Sequence, residues 1–351
     1  MPITRNTHSL KNIDPVTAKR EFRKAILEWF ENVAEDYPWR RTRDPYAVFV
    51  SELMLQQTQV ATVLNKRYFE NWMERYPTPT ALHNADLDDV LSTWEGLGYY
   101  RRARNLKLAA EVIVDQHGGK FPIDSDSIRA LPGVGDYTAG AVETFALGRS
   151  VPVVDANIAR VLARLFDFQE RIDQTQGRRQ LWQWAAELVP QTDAGQFNSG
   201  LMELGQKICT PRSPNCQACP VSKWCQTASP ESLPIKKRPT ATVETSECVY
   251  LFIKNDAVLL QRETGTRRNG LNKLPSSDEA TLGWSEISAI TYAITRYRVR
   301  LSVLEAPPDH HPDLKDSTLF WCPVAELNSV AMGSPYRKVL RQHLQEPTLD
   351  S

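Results

Sequence analysis

Apolar and polar positions divide the chain into a helical part and a shorter part with strands. Their spacing predicts helices over residues 125–131 and 136–147, and another that begins after Asp155. Asp124 or Ser125 is a suitable cap for the first of these helices, and Gly148 ends the second. Residues 248–263 form two apolar runs around a Lys-Asn-Asp turn, residues 291–305 alternate apolar and basic side chains, and residues 334–346 have helical spacing. The pattern therefore predicts a mainly helical core followed by a smaller α+β module.

The composition predicts how these parts are joined. Residues 1–20 are polar and read as a mobile lead-in, residues 21–228 form the core, and residues 248–351 form the second module. Residues 229–247 are rich in Pro, Ser, Thr and Lys and are typical of a linker. Apolar content of 41% is ordinary for a globular protein. Because no apolar run is long enough to span a bilayer and the start lacks a signal core, we expect a cytoplasmic protein without membrane contact.

Charge leaves several classes of partner open. The formal net charge is +0, which argues against a uniformly basic protein. Nucleic-acid binding depends on local patches, and residues 38–43 and 101–107 are two candidates. Taken alone, each patch is more typical of a solvated surface.

Two carboxylates stand out from their surroundings. Glu52 lies among Leu53, Met54 and Leu55 and is followed by three glutamines at positions 56, 57 and 59, a composition that suits neither a surface helix nor a core helix. Asp155 directly precedes a helical pattern, and its simplest interpretation is a helix N-cap. A sharper hypothesis makes both residues catalytic. Since they are far apart in sequence, only the fold can bring them together.

Four of the 6 cysteines are concentrated in one loop, with the spacing C-x6-C-x2-C-x5-C at Cys209, Cys216, Cys219 and Cys225. Disulfides are not expected without a secretion signal. Four thiolates suit zinc or an iron–sulfur cluster, and the irregular spacing favours a cluster, with structural zinc as the alternative. Cys248 and Cys322 lie outside the pattern and are predicted to be core residues.

A glycine turn joins the two predicted helices before Gly148. It has the sequence Pro132-Gly133-Val134-Gly135. Two glycines permit a tight turn, and amides at a helix start suit a DNA phosphate. Helices on both sides of such a turn are typical of a helix-hairpin-helix element, which holds DNA without reading its sequence.

These segments together resemble one family. SELMLQQTQV, GLGYYRRARNL, LPGVGDYTAGA, VVDANIARVLAR and the four-cysteine loop resemble the MutY-type adenine DNA glycosylases over roughly residues 20 to 228. The resemblance implies a helix-hairpin-helix glycosylase core with a [4Fe–4S] cluster on the four cysteines. It also implies base excision repair: removal of adenine mispaired with 8-oxoguanine or guanine in double-stranded DNA. We expect the protein to act as a monomer.

The resemblance also implies roles for individual residues. Glu52 protonates adenine N7, and its apolar neighbours should raise its pKa. Asp155 stabilises or captures the oxocarbenium-like sugar, as in retaining glycosidases. Tyr137 and Asn157 orient this pair, and Trp39 and Arg40 lie beside the adenine pocket. Residues that enter or hold the duplex during base extrusion are Leu55, Gln56, Gln57, Thr58 and Tyr99.

Two departures from relatives shape the expected activity. Bifunctional relatives carry a lysine where this chain has Tyr137, so we expect base release without efficient strand cleavage. Some relatives carry Glu or Gln near the adenine where this chain has Ser199, which leaves one base contact open.

The C-terminal module resembles the Nudix-like domain of the family, but it lacks an intact Nudix box, and we expect no pyrophosphatase activity. The family's Phe-Ser-His motif aligns with Ile294-Thr295-Arg296. Thr295 keeps a hydroxyl, Ile294 cannot stack, and Arg296 carries a fixed charge. Either this loop reads 8-oxoguanine as usual, or lesion discrimination is altered and Arg296, Arg298 and Arg300 contact DNA through charge.

Three other functions fit the sequence less well. A mismatch glycosylase with another target, such as thymine or uracil, is disfavoured by the Gln-Gln-Thr run after Glu52. A silent DNA- or protein-binding member is disfavoured because Glu52 and Asp155 are both retained. An electron-transfer protein would leave the base-extrusion motifs without a purpose.

Overall fold

The computed structural model describes residues 14–238, 240–265, 268–277, 283–312 and 316–344. Most of the predicted lead-in therefore lies outside the described residues. The chain divides into two compact units, one made of residues up to Glu52 with Phe121–Arg238, and the other of Leu53–Lys120 with residues from Pro239 onward. The predicted core over residues 21–228 thus contributes to both units, and the division does not follow one linker.

Helices form most of the described chain before residue 239. In chain order they are α1 (Lys19–Val33), α2 (Pro45–Leu55), α3 (Val60–Asn65), α4 (Tyr68–Arg75), α5 (Pro79–Asn84), α6 (Leu87–Thr93), α7 (Arg101–His117), α8 (Ser125–Ala130), α9 (Asp136–Ala141), α10 (Ala156–Leu165), α11 (Thr175–Leu188), α12 (Ala194–Lys207) and, at the C-terminal end, α13 (Ser334–His343). Among the described residues, no helix is both long and apolar enough to cross a membrane.

Strands follow in the second unit. They are β1 (Val243–Leu251), β2 (Ile253–Lys254), β3 (Ala257–Arg262), β4 (Asn272–Lys273), β5 (Glu286–Ile294), β6 (Tyr297–Glu305) and β7 (Leu319–Pro323). One sheet has the order β1-β6-β5, with β1 parallel and β5 antiparallel to β6. In the other, β3 pairs with β2, β4 and β7. Strand β1 begins inside the stretch predicted as a linker.

The first unit is built on a core shared by α1, α10 and α12. Phe22, Ile26, Leu162 and Phe197 are all at most 1% exposed and belong to one cluster. The helices approach closely at Gly205 of α12, where an added Cβ would lie 2.6 Å from the Cβ of Asn157. Glycine is therefore required at this position for α12 to pack against the start of α10.

The predicted helical hairpin is confirmed, with one difference. Asp124 caps α8 and accepts a hydrogen bond from the Ser127 amide at 2.8 Å. The second helix continues beyond α9 as a π-helical turn at Val142–Ala146, and Gly148 follows in the left-handed region with φ of 66°. Because the ladder changes at Val142, regular α-helix is shorter than the apolar spacing predicted.

The strand predictions also agree with the structure. Strands β2 and β3 are joined by Asn255 and Asp256, both with positive φ, as a tight hairpin requires. The half-exposed pair is β5 and β6, and α13 is the predicted closing helix. Cys322 is buried as predicted, whereas the prediction for Cys248 is wrong because its side chain is exposed. Cys248 lies on β1 directly before the strand enters the core at Val249, and the strand positions before it are exposed or half-buried.

Candidate active site

Glu52 is a buried carboxyl near the end of α2, with only 6% of its surface exposed. Burial raises its pKa to about 7, because few neighbours replace the water that would solvate the charge. The Tyr137 hydroxyl opposes this rise by donating a hydrogen bond to Glu52 Oε2 at 2.6 Å. The negative charge of Asp155 raises the pKa further, and the positive charge of Arg40 lowers it. The expected rise in pKa is confirmed.

Asp155 caps α10 and is also brought close enough to Glu52 to influence its ionisation. Its Oδ1 accepts from the Ile158 amide at 2.7 Å, and its Oδ2 accepts from Asn157 Nδ2 at 2.8 Å. Burial raises the pKa of Asp155, while these hydrogen bonds act in the opposite direction. The simple interpretation as an N-cap is confirmed, and the fold does bring the two carboxylates together.

Tyr137 lies in the first turn of α9, just after the glycine turn. Burial and the two nearby carboxylates raise the pKa of its phenol well above the ordinary range. The phenol therefore stays protonated and acts as a donor to Glu52. The structure brings Glu52, Tyr137, Asp155 and Asn157 into one hydrogen-bonded and electrostatic group.

A second layer holds Asn157. Arg160 is 8% exposed and donates from Nη2 to Asn157 Oδ1 at 3.0 Å and to the Gly205 carbonyl at 2.7 Å. The amide of Asn157 is thereby fixed with its nitrogen toward Asp155. Sequence reasoning missed Arg160, although an arginine three residues after Asn157 on the same helix face was a usable signal.

Arg40 is held by another residue that sequence reasoning missed. Glu203 on α12 is fully buried, and its oxygens meet Arg40 Nη2 at 2.9 Å and Lys207 Nζ at 3.0 Å. Arg40 also lies over the Tyr37 ring at 4.6 Å. Glu203 could have been found in the same way as Glu52, because it is a single carboxylate among apolar helix positions. Trp39 is buried, and Ser199 is buried on α12.

The residues predicted to enter DNA belong to the second unit, and they lie at the end of α2 or in a loop. Leu55 ends α2, and Gln57 follows with an exposed side chain and φ of 56°. Tyr99 is 51% exposed and has φ of 47°. Gln56 and Thr58 are half-buried. Exposed tips on strained, left-handed backbone are typical of functional contacts.

The glycine turn leaves only some of its backbone amides free of the hydrogen bond that closes the turn. Gly133 is exposed with φ of 83°, so a side chain here would be strained. The Val134 amide donates to the Leu131 carbonyl at 3.1 Å. The prediction that the amides of this turn suit a DNA phosphate is thus wrong for Val134, because that amide closes the turn. Gly135, the exposed N-cap of α9, completes the turn.

The cysteine loop fits an iron–sulfur cluster. Burial raises the pKa of Cys219 to about 12, and the other three thiols lie close enough to add to this rise. Such a group of thiolates requires a strongly cationic centre, and Arg164 Nη1 donates to Cys209 Sγ at 3.3 Å. A [4Fe–4S] cluster spreads its four thiolates over four irons. Within the described residues, no group of three or more His, Cys, Asp or Glu side chains is arranged to hold one ion.

Ile294 ends β5, and Thr295 and Arg296 form the turn to β6. Thr295 has φ of 53°, which is unusual for a β-branched residue. Arg296 Nη2 donates to the Tyr297 hydroxyl at 3.2 Å, and its guanidinium lies over that ring. A cavity of about 570 Å³ beside the turn is lined by Thr242, Glu244, Thr291, Tyr292, Ala293, Thr295, Arg296, Tyr297 and Arg298. Arg298 and Arg300 form exposed ion pairs with Glu244 and Glu286.

Two family models match this chain. Residues 50–187 match the HhH-GPD superfamily base excision DNA repair proteins, and residues 209–225 match the iron-sulfur binding domain of endonuclease III. The first match contains Glu52, Tyr137 and Asp155, and the second begins and ends at cluster cysteines. The second match confirms the predicted iron–sulfur cofactor and its loop.

Individual relatives of this chain are also DNA glycosylases. The human adenine DNA glycosylase is 43% identical over 62% of this chain and 41% of its own length. The adenine DNA glycosylase of Buchnera aphidicola (subsp. Schizaphis graminum) is 34% identical over 69% of this chain and 71% of its own. A solved thermostable thymine-DNA glycosylase superposes with a TM-score of 0.56 at 33% identity, covering 61% of this chain and 98% of its own.

The chain is thus a helix-hairpin-helix protein of the HhH-GPD superfamily, and it belongs to the MutY-type adenine DNA glycosylase family. It spans less than half the length of the human relative that it matches.

Proposed function

We propose that this protein is an adenine DNA glycosylase that hydrolyses the N-glycosidic bond of adenine mispaired with 8-oxoguanine or guanine. The observation that carries the proposal is Glu52, a buried carboxyl with a pKa raised to about 7 beside a second carboxylate. At neutral pH a large fraction of Glu52 is protonated and can donate to a base. The hydrogen bonds that Asp155 accepts from the Ile158 amide and Asn157 oppose the burial that raises its pKa, and they favour the carboxylate that faces a cationic sugar.

The chemistry follows from these two environments. Glu52 protonates adenine N7, which makes the base a leaving group, and the C1′–N9 bond breaks as positive charge develops on the sugar. Asp155 stabilises or captures that charge, and Glu52, now ionised, accepts a proton from the incoming water. Tyr137 stabilises the ionised form of Glu52 through its hydrogen bond. The four cysteines would hold the iron–sulfur cluster, which would organise their loop.

Base extrusion is proposed for the exposed loop tips. Gln57 and Leu55 enter the duplex from one loop and Tyr99 from another, while Gln56 and Thr58 support the distorted strands. The exposure of Tyr99 supports this role, since a ring that is 51% exposed on left-handed backbone is typical of a position held for a functional contact.

Strand cleavage is not expected to be efficient. A lyase step needs an amine to attack the sugar, and Tyr137 occupies the position where bifunctional relatives carry lysine. The expected outcome is an intact abasic strand after base release. Treatment with borohydride should trap no covalent complex between the protein and DNA.

We propose that the C-terminal strands form a Nudix-like domain that examines the base opposite adenine through the β5–β6 turn. Thr295 supplies a hydroxyl to that base. Arg296 is held over Tyr297, and Arg298 and Arg300 are already paired with carboxylates, which weakens the hypothesis that these arginines grip DNA through charge. Altered discrimination between 8-oxoguanine and guanine then rests mainly on the loss of the aromatic residue at Ile294.

A second candidate is a mismatch glycosylase with a thymine or uracil target, which is favoured by the likeness to the thermostable thymine-DNA glycosylase. The two functions are separated by single-turnover base release from duplexes with 8-oxoguanine:A, G:A, T:A and G:T pairs. Release of adenine that depends on Glu52, shown by the Glu52→Gln variant, supports the first. Release of thymine from G:T without release of adenine would replace the first function with the second.

A further inference from the structure

Arg102 is a buried arginine on α7, 6% exposed, that binds a loop far from it in sequence. Its Nη1 donates at 2.8, 2.8 and 2.5 Å to the carbonyls of Leu53, Met54 and Gln56. Those carbonyls end α2 and begin the loop that carries Gln57. An arginine 46 residues away thus caps this helix end and fixes the first peptide beyond it.

The second terminal nitrogen of the same guanidinium binds another loop, the one that carries Tyr99. Arg102 Nη2 donates to the carbonyls of Leu97 and Gly98 at 2.9 and 3.0 Å, and to Thr58 Oγ1 at 3.1 Å. The guanidinium also lies 5.6 Å from the centre of the Tyr99 ring. One planar cation therefore joins the Gln57 loop to the Tyr99 loop. Lysine, with a single nitrogen, cannot reach both sets of acceptors.

These hydrogen bonds fall at the two strained positions. Gln57 and Tyr99 are non-glycine residues with φ of 56° and 47°. The carbonyl directly before each, on Gln56 and Gly98, is bound by Arg102. A left-handed backbone at such residues persists only where its surroundings fix it, and here one side chain fixes both.

We propose that Arg102 is a positioning residue that holds the Gln57 and Tyr99 tips as one rigid unit, so that both enter the duplex together during base extrusion. Arg102 does not itself contact the base. This inference rests on the proposed function, because it assumes that the two tips engage DNA. Its consequence is that the equilibrium of extrusion and the rate of base release depend on Arg102, whereas general affinity for DNA does not.

The test compares Arg102→Lys with Arg23→Lys. Arg23 is a matched control because it also donates to the carbonyls at a helix end, those of Glu187, Leu188 and Val189, but lies outside the proposed site. Extrusion is measured by the fluorescence of 2-aminopurine at the target position, and base release by single-turnover kinetics. We expect Arg102→Lys to reduce both by about 10- to 100-fold, as small displacements of positioning groups do.

The reaction amplitude separates positioning from folding. A merely structural defect lowers the fraction of active protein and hence the amplitude, whereas loss of positioning lowers the rate constant at full amplitude. Affinity for a fully paired duplex should be unchanged by Arg102→Lys. An Arg102→Lys variant with wild-type extrusion and rate would overturn the inference. A wild-type protein that releases no adenine would instead contradict the proposed function.

A milder variant tests whether Arg102 couples the two loops if Arg102→Lys does not fold. Thr58→Val removes one acceptor of the guanidinium and keeps the side-chain volume. Hydrogen exchange of the free protein should then become faster at residues 97–99 as well as near residue 58. Faster exchange in the distant loop supports coupling through Arg102, and unchanged exchange there contradicts it.

Discussion

The Tyr137 hydroxyl donates to Glu52 Oε2 at 2.6 Å and is the group that most strongly opposes the rise in the pKa of that carboxyl. Removing it should raise the pKa of Glu52 above about 7. In Tyr137→Phe, the alkaline decline of base release should therefore move to higher pH, while the maximum rate falls about tenfold because the ionised form of Glu52 loses a donor.

The measurement for Tyr137→Phe is the pH profile of single-turnover base release. Tyr76→Phe is a suitable control, since the Tyr76 hydroxyl lies 3.3 Å from Thr93 Oγ1 and the residue belongs to the other unit. A lower rate with an unshifted profile would show that Tyr137 acts through packing alone.

Glu52 should make the protein less stable as the pH rises. Its pKa is about 7 in the folded protein and 4.5 ordinarily, so its favourable contribution is complete below pH 4.5 and is lost as the pH rises through 7. Glu52→Gln removes the buried charge and should stabilise the protein at pH 8 by on the order of 3 kcal/mol. Wild-type protein and Glu52→Gln should have nearly equal stability at pH 4.5. The variant should release no base at any pH.

The two roles of Asp155 can be separated by substitution. Asparagine caps a helix about as well as aspartate, but its Nδ2 replaces the oxygen that accepts from Asn157, so Asp155→Asn should destabilise the protein by about 1 kcal/mol. Base release should fall by about 100-fold or more, because the charge that faces the developing cation is gone. Asp155→Ala should lose both functions and destabilise the protein by about 2 kcal/mol, because the acceptors for the Ile158 amide and for Asn157 are both removed. Urea unfolding and single-turnover kinetics on the same preparations test both parts.

Arg337 of α13 forms a bidentate ion pair with Glu95, which lies two residues after α6. Arg337 Nε and Nη2 donate to the two carboxylate oxygens at 2.8 and 2.9 Å. The side chains of Arg337 and Glu95 are 6% and 19% exposed. Arg337→Met leaves a half-buried carboxylate directly before the Tyr99 loop and should destabilise the protein by about 3 kcal/mol. Arg298→Met is the matched control, because its partner Glu244 is 3.8 Å away and both side chains are more than 60% exposed. That exposed pair should contribute less than about 1 kcal/mol, as measured by thermal unfolding.

Local sequence was enough to predict elements whose signals are local. The capped helix α8, the turn at Gly133, the N-cap at Asp155 and the tight hairpin at Asn255 each depend on residues within a few positions of one another. The spacing of the four cysteines likewise favoured an iron–sulfur loop over a zinc site. Short-range backbone sterics and hydrogen bonds determine such features, so the sequence contains them directly.

Tertiary structure decided the environments of the chemical groups. The pKa of Glu52 depends on Tyr137, Asp155 and Arg40, which come from distant segments and meet only after the core has packed. Arg102 reads as an ordinary helix residue, and the sequence signals of Glu203 and Arg160 do not show which charges and carbonyls these buried side chains hold. The sequence by itself determined which elements form and which residues carry the chemistry. Which partners surround each charge was decided by long-range packing, because desolvation and electrostatic coupling depend on distance in space.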